Sequence, residues 1–290
     1  MIDYLWIFLT AVVFGFNGII NGLYGKKNSD SNPFIITAIS SITIILFFFA
    51  LNEFKFVYDK DTLIFGLLFG LSFLTTSLFG QLAYRKGSVP LSALFISYSL
   101  ILPTLYGIIF HRDKTDVLFY VALGFLMISL YLTNKPKKED GEKTKINLWW
   151  LIFVSLAFLG NGFCSIFQTH QQTLVNGKFR SEFMIIGMGV MLIVSVVLYF
   201  CKAFGTNGKR EISKALPYGF GVGITSALVN FFVMILVSGT VSVSLIFPLI
   251  SAGSLLVSYL FSALLFKEKL SLVQNLGFVS GLIAVILFNI

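Results

Sequence analysis

Acidic side chains are missing from the interior of every long apolar run in this 290-residue chain. Glu182 and Glu268 stand only at the ends of such runs. A carboxylate at the bilayer centre costs about 2.5–3.5 kcal/mol on insertion scales, so one is kept there mainly for function. Its absence argues against a carboxylate proton relay and against a buried counter-ion for a cationic drug. Charge of either sign is scarce, at 12% of residues against about 25% in a soluble domain. There are two cysteines, Cys164 and Cys201, each in or at the edge of an apolar run. They give neither a disulfide framework nor a metal-ligand spacing, and no cofactor or metal is expected. The chain also lacks a Ser/His/Asp set, HExxH, CxxC and a phosphate-binding glycine loop, so it is not expected to be an enzyme.

What remains is apolar. Hydrophobic residues make up 57% of the chain, more than a soluble core absorbs. A helical span takes roughly 20 apolar residues. The runs predict ten spans, near 4–24, 33–51, 63–84, 90–110, 116–134, 148–169, 182–201, 215–237, 243–266 and 271–289. The runs are continuous, without the alternation of a membrane barrel. The expected fold is therefore an all-α multi-span membrane protein. The first run has no basic segment before it and no small-residue cleavage site, and reads as a retained span. The net charge of +8 lies mostly in short loops. No basic face with interleaved aromatics is present, so the expected partner is the bilayer and not nucleic acid. Loops after odd-numbered spans carry 15 Lys and Arg against 6 in the others. The positive-inside rule then puts the central linker in the cytoplasm and both termini outside.

The ten spans divide into two related halves. Phe14-Gly15-Phe16-Asn17-Gly18 and Phe158-Leu159-Gly160-Asn161-Gly162 match at an offset of 144 residues, and so do Leu5-Trp6 and Trp149-Trp150. Further on, Gly66 and Gly70 match Gly219 and Gly223, and Gly87-Ser88-Val89 matches Gly239-Thr240-Val241. An offset of 152 then pairs Ser92 with Ser244, Phe95 with Phe247 and Ser99 with Ser251. The sequence thus predicts a first five-helix repeat over 1–134, a polar linker over 135–147 and a second repeat over 148–290. Five spans is an odd number, so the second repeat enters the membrane from the opposite side. The repeats are inverted, an arrangement that places a transporter's site near the midplane between them.

Polar residues fall on shared helical faces. Asn17, Asn21 and Tyr24 follow i, i+4, i+7 spacing, and Asn161, Ser165 and Gln168 are their counterparts, with Gln172 one turn further. Gly15, Gly18 and Gly22 form a small-residue stripe for close helix approach. Ser92, Ser99, Pro103 and Tyr106 share one face, and Ser244, Pro248, Ser251 and Ser258 share the matching one. Pro103 and Pro248 each free a carbonyl and are candidate hinges. Ser77, Gln81 and Tyr84 share a face, and Asn230 aligns with Ser77. A single asparagine reads equally as helix glue or as cavity lining; two stripes at repeat-equivalent positions favour the cavity. The candidate substrate contacts are Asn17, Asn21, Tyr24, Gln81, Tyr84, Tyr98, Tyr106, Asn161, Ser165, Gln168, Asn230 and Ser251. His170 and Arg85 read first as interfacial side chains.

These features resemble the EamA-like branch of the drug/metabolite transporter superfamily. The stretch that carries the resemblance runs from Phe247-Pro248 through Phe266-Lys267-Glu268-Lys269-Leu270-Ser271 to Gln274-Asn275-Leu276-Gly277 and Gly281-Leu282, with residues 90–114 as its first-half counterpart. Two places depart from the family pattern. His111-Arg112-Asp113 stands where an acidic turn with Glu is usual, and Phe14-Gly15 stands for the usual Trp-Gly. The resemblance implies a central cavity lined by the first helix of each half and by spans three, four, eight and nine. It implies small metabolites as substrates, often exported amino acids. It also implies cytoplasmic termini, opposite to the Lys and Arg count.

The expectation is a multi-pass secondary transporter of the cell membrane. Its expected substrate is a small polar metabolite such as an amino acid, exported by alternating access at a midplane cavity between the two repeats. A flippase for a lipid or lipid-linked sugar, a multidrug exporter and a non-transporting scaffold are the alternatives. Ten spans enclose a full pathway, so a monomer suffices, and a dimer is compatible with it.

Overall fold

The structure, a computed structural model, describes residues 2–27, 32–86, 92, 95–96, 98–133, 148–202, 208–265 and 271–288. It is all-helical among the described residues. The helices are α1 (Ile2–Lys27), α2 (Pro33–Leu51), α3 (Lys60–Lys86), α4 (Ile101–Phe110), α5 (Val117–Thr133), α6 (Leu148–Leu174), α7 (Arg180–Lys202), α8 (Gly208–Val237), α9 (Val243–Leu265) and α10 (Leu272–Leu287). A 3₁₀ turn, Tyr98–Leu100, leads into α4. Six helices (α1, α2, α3, α6, α7 and α8) are long and apolar enough to cross a membrane. Of the other four, all apolar, α4, α5 and α10 hold 10, 17 and 16 residues and α9 holds 23. The predicted linker over 135–147 and most of 87–97 lie outside the described residues.

Helix starts follow local chemistry. Asn32 caps α2 by accepting from the Phe34 N–H at 3.1 Å, and Pro33 takes the first position, where its missing N–H costs nothing. Asp59 accepts from the Thr62 N–H at 2.8 Å at the start of α3. Hydrogen bonds from the Thr62 side chain and backbone hold its carboxyl below the usual range. Asp116 does the same for α5 through Phe119, and Ser271 with Gln274 forms a capping box on α10. Such caps carry the start of α3 to Lys60, three residues before the predicted edge. α8 starts seven residues before its predicted edge, with Pro217 inside it.

The two halves are interlaced. α3 packs on α6 and α7, and α8 packs on α1 and α2. α2 lies against α7, α5 against α10, and α9 against α1 and α4. Most of the bundle's core is thus built between helices of opposite halves. One apolar cluster joins Ile44 and Phe48 of α2, Phe69 of α3, Phe183, Met184 and Met188 of α7 and Met234 of α8. A second joins Phe119, Ala122 and Leu126 of α5 to Ala284 of α10 and Ile246, Phe247 and Ile250 of α9. Large apolar side chains also point outward, among them Leu5, Phe8, Leu46, Ile193 and Phe200. That outer surface is what a helical membrane protein offers to lipid.

Glycine sets the closest crossings. A Cβ on Gly70 would come within 2.5 Å of the Gly187 carbonyl oxygen, and one on Gly66 within 3.0 Å of Ile186. On α8, a Cβ on Gly223 would meet Thr43 at 2.5 Å and one on Gly219 would meet Ile39 at 2.7 Å. The two sequence-matched glycine pairs therefore do the same work, one in the α3–α7 crossing and the other in the α8–α2 crossing. Gly15 meets Val257 of α9. Gly18, expected in the same packing stripe, has nothing within 4 Å, because it faces away from the crossing. Gly22 has no described surroundings.

Gly70→Ala is expected to cost about 1–3 kcal/mol, the scale of overpacking in a tight interior. Gly18→Ala should be neutral or slightly stabilising, since alanine favours the helix. Thermal unfolding of both variants in detergent checks this; equal melting temperatures would mean that the α3–α7 crossing has slack.

Candidate functional site

A row of hydrogen bonds runs through the bundle interior on α1, α8 and α6. Asn17 Nδ2 donates to Thr225 Oγ1 and Ser226 Oγ, both at 2.8 Å, and to the Val222 carbonyl at 3.2 Å. Asn21 Nδ2 donates to Asn17 Oδ1 at 3.0 Å. The Ser226 carbonyl then accepts from Asn230 Nδ2 at 2.8 Å. Asn230 Oδ1 accepts from Gln168 Nε2 at 3.2 Å. Asn21, Asn17, Ser226, Asn230 and Gln168 are thus one connected set. The i, i+4 spacing of Asn17 with Asn21 and of Ser226 with Asn230 aligns it along two helices.

Asn161 is placed differently from its sequence counterpart. Its Nδ2 donates to Ser99 Oγ at 2.7 Å. Ser99 belongs to the 3₁₀ turn before α4. Pro103, four residues later, lacks the N–H that would bond the Ser99 carbonyl in a regular helix. The irregular turn at Pro103 is therefore where Asn161 makes contact. Pro248 lies within α9 and leaves the Ser244 carbonyl in the same position. Ser165 Oγ donates to the Asn161 carbonyl at 3.4 Å.

The tyrosines divide. Tyr106 Oη lies 2.6 Å from His170 Nδ1, joining α4 to α6, and the His170 ring sits 4.7 Å from the Phe65 ring. Tyr98 turns to α5, where its hydroxyl donates to the Met127 carbonyl. Tyr24 is buried with Ile35, Ile36 and Ala215, its ring 5.5 Å from that of Tyr218. Asn21, three residues earlier, is exposed, so the predicted α1 stripe splits into a polar part and a packed part. Gln81 is half-buried on α3. Ser251 is buried on α9, and its carbonyl accepts from Ser254 Oγ. The Tyr84 side chain lies outside the described residues.

The amide nitrogens of this row are all committed to protein acceptors. Asn17 Oδ1 and Asn230 Oδ1 are engaged within the row, but other oxygens are not. Asn161 Oδ1 and Gln168 Oε1 accept no hydrogen bond from the described residues, although Gln168 is only 4% exposed. The row therefore offers acceptors, and suits a ligand bearing N–H or O–H groups. Among the described residues, no group of three His, Cys, Asp or Glu side chains is arranged to hold a metal ion.

Sequence reasoning missed part of the network. Thr225 and Ser226 receive Asn17, yet they sit in an apolar run with no periodic signal. Gln171 is fully buried, donates to Thr62 Oγ1 at 2.9 Å and accepts from Gln172. Two adjacent glutamines at the end of an apolar run were the available sign. Glu182, at the end of an apolar run, and Arg180 beside it both bond to other helices or turns of the bundle.

No protein-family model matches the chain, and no curated protein matches it. One solved structure, described only as a crystal structure of a protein, superposes with a TM-score of 0.77. It covers 99% of this chain and 98% of that one at 11% sequence identity, a likeness of fold alone.

A double-mutant cycle on Gln168→Leu and Asn230→Leu is expected to give a coupling of about 0.5–2 kcal/mol, as for other interhelical polar pairs in membranes. Equilibrium unfolding in mixed micelles measures it. Additive losses would mean that the two amides are not bonded.

Proposed function

We propose that this chain is a secondary carrier of the cell membrane for a small, polar, neutral or zwitterionic metabolite. The observation that carries the reading is the crossing pattern of the two central asparagines. Asn17, in the first half, donates to α8 of the second. Asn161, 144 residues later, donates to Ser99 of the first. Polar side chains deep in an apolar bundle thus bridge the halves in both directions, and a site between repeats is where carriers hold their substrates.

The helix packing supports an inverted repeat. Shifting every helix label by five turns α1–α8 into α6–α3, and α2–α8 into α7–α3. It returns α2–α7, α5–α10 and α4–α9 to themselves. In this reading Asn161, Ser165, Gln168, Asn21 and Gln81 meet the substrate, Asn17 and Asn230 brace the row, and the turn at Pro103 gives the bend. One end of the bundle is tied together by bonds between turns and helices. Asp3 accepts from Thr240, Asp113 accepts from the Ser244 N–H, and Arg180 donates to Ser238. Substrate would then enter or leave from the other end. The resemblance of residues 247–282 to drug/metabolite transporters agrees with this reading.

A second reading has one observation in its favour. An apolar groove of about 480 Å³ opens between α2 and α8, lined by Ile39, Ile42, Thr43, Leu216, Pro217 and Phe220. A lipid flippase needs such a lateral opening for an acyl chain.

Purified protein in proteoliposomes should exchange a pool of amino acids, sugars, nucleosides or quaternary amines by saturable counterflow. Asn161→Leu is expected to insert normally and to lose at least about tenfold in flux, the scale of one hydrogen bond to substrate. Full flux in that variant would remove Asn161 from the site. Inhibition by head-group lipids alone, without solute counterflow, would favour the flippase.

A further inference from the structure

A polar cavity lies away from the central row, at the turn between α6 and α7. It measures about 240 Å³ and is lined by Asn52, Gly177, Arg180, Ser181, Glu182 and Phe231 among others. It holds two opposite charges that do not meet. Arg180 donates through Nε to Gln172 Oε1 at 3.3 Å and through Nη2 to Ser238 Oγ at 2.7 Å, both neutral acceptors. Glu182 is 4% exposed, and its Oε1 accepts from Asn52 Nδ2 at 3.0 Å and from the Val57 N–H at 3.4 Å, both neutral donors. Among the described residues the one ion pair is Lys55–Glu53, so neither charge has a charged partner there.

Unpaired charges withdrawn from water are costly, and folded proteins generally pair them. Here the backbone is arranged to keep both. Gly177, at φ +72°, turns the chain into α7, and a Cβ there would come within 2.7 Å of Arg180 Nη2. A larger residue would push the guanidinium from its place. A guanidinium carries five N–H donors, and the bonds above leave several of them free. Glu182 Oε2 accepts no hydrogen bond from the described residues.

We propose that this cavity binds a small zwitterion, with its carboxylate on Arg180 and its ammonium on Glu182. The charge pair selects against simpler ions. An anion would meet Glu182, and a cation would meet Arg180, whereas a zwitterion satisfies both at once. A planar carboxylate also matches the guanidinium fork. The cavity lies close along the chain to the interior row. Phe231 follows Asn230 in the chain, and Gln172, which holds Arg180, lies one turn beyond Gln168 on α6. As a stop on the transport path the site rests on the carrier reading; as a binding site it stands alone.

The test is calorimetric titration of the full chain in detergent with glycine, L-alanine and L-leucine, and then with L-alaninamide and propionate. At least one of the three amino acids should bind. Alaninamide, without the carboxylate, and propionate, without the ammonium, should bind at least about tenfold more weakly than alanine or not at all. Arg180→Gln and Glu182→Gln should abolish binding, and Arg180→Lys should restore part of it. Equal binding of alanine and its two analogues to the wild-type protein overturns the proposal without any variant. So does amino-acid binding that survives both Gln variants, or no binding of any of the three to folded protein. Counterflow in proteoliposomes separates the two claims. Binding without counterflow keeps the site and removes the carrier, and counterflow without discrimination among the analogues keeps the carrier and removes the site.

Discussion

A polar side chain inside an apolar bundle is costly without a partner, because neither lipid nor packed core supplies one. That constraint organises this molecule. Asn17 cannot sit in α1 unless α8 presents Thr225 and Ser226 to it, and Asn230 cannot sit in α8 unless Ser226 and Gln168 receive it. The partners come mostly from different helices, and Asn17 and Asn161 reach into the other half of the chain. Satisfying them therefore fixes how α1, α6 and α8 lie against one another. Net energies are modest per bond, of order 1 kcal/mol. Leaving one unmade costs more, and this makes the row a register device as much as a source of stability.

Shape does the rest. Around the polar row, helices approach closely where glycine removes the side chain, at Gly66 and Gly70 against α7 and at Gly219 and Gly223 against α2. Close backbone approach gives dispersion contacts without a hydrophobic driving force between helices that face lipid. Because these crossings join one half to the other, neither half owns a separate core. A relative movement of the halves would slide these glycine crossings and exchange hydrogen bonds within the row. The turn at Pro103 and the proline within α9 are where backbone carbonyls lack their helical partners, and where bending costs least.

The ten helices were legible because each is a continuous apolar run, and their order survives in the structure. The helix starts were less so. A hydropathy reading stops at the charged residues 59–61, whereas the Asp59 cap begins α3 there. Residues 208–214 continue α8 despite four charges, since a helix end in water tolerates them. Asn161 and Gln168 stood out, being amides in apolar surroundings with repeat-related spacing. Their partners did not, because serine and threonine bond their own helix backbone so commonly that their presence carries little signal. Tyr24 shares helical spacing with Asn21, yet only one of them is exposed, since the ring packs on Tyr218. Glu182 has the sequence context of an ordinary span end, and Arg180 that of a loop charge. Only the fold brings them to the same cavity without pairing them.

The central claim is that the polar row faces water alternately from the two sides of the membrane. Site-directed thiol labelling tests it most directly. With Cys164 and Cys201 replaced, a single cysteine at Ser165 would be challenged with a membrane-impermeant reagent from each side of sealed proteoliposomes of known orientation. The account predicts labelling from both sides, with substrate shifting the ratio between them. Labelling from neither side, or from one side at a rate indifferent to every solute that the protein exchanges, would contradict it.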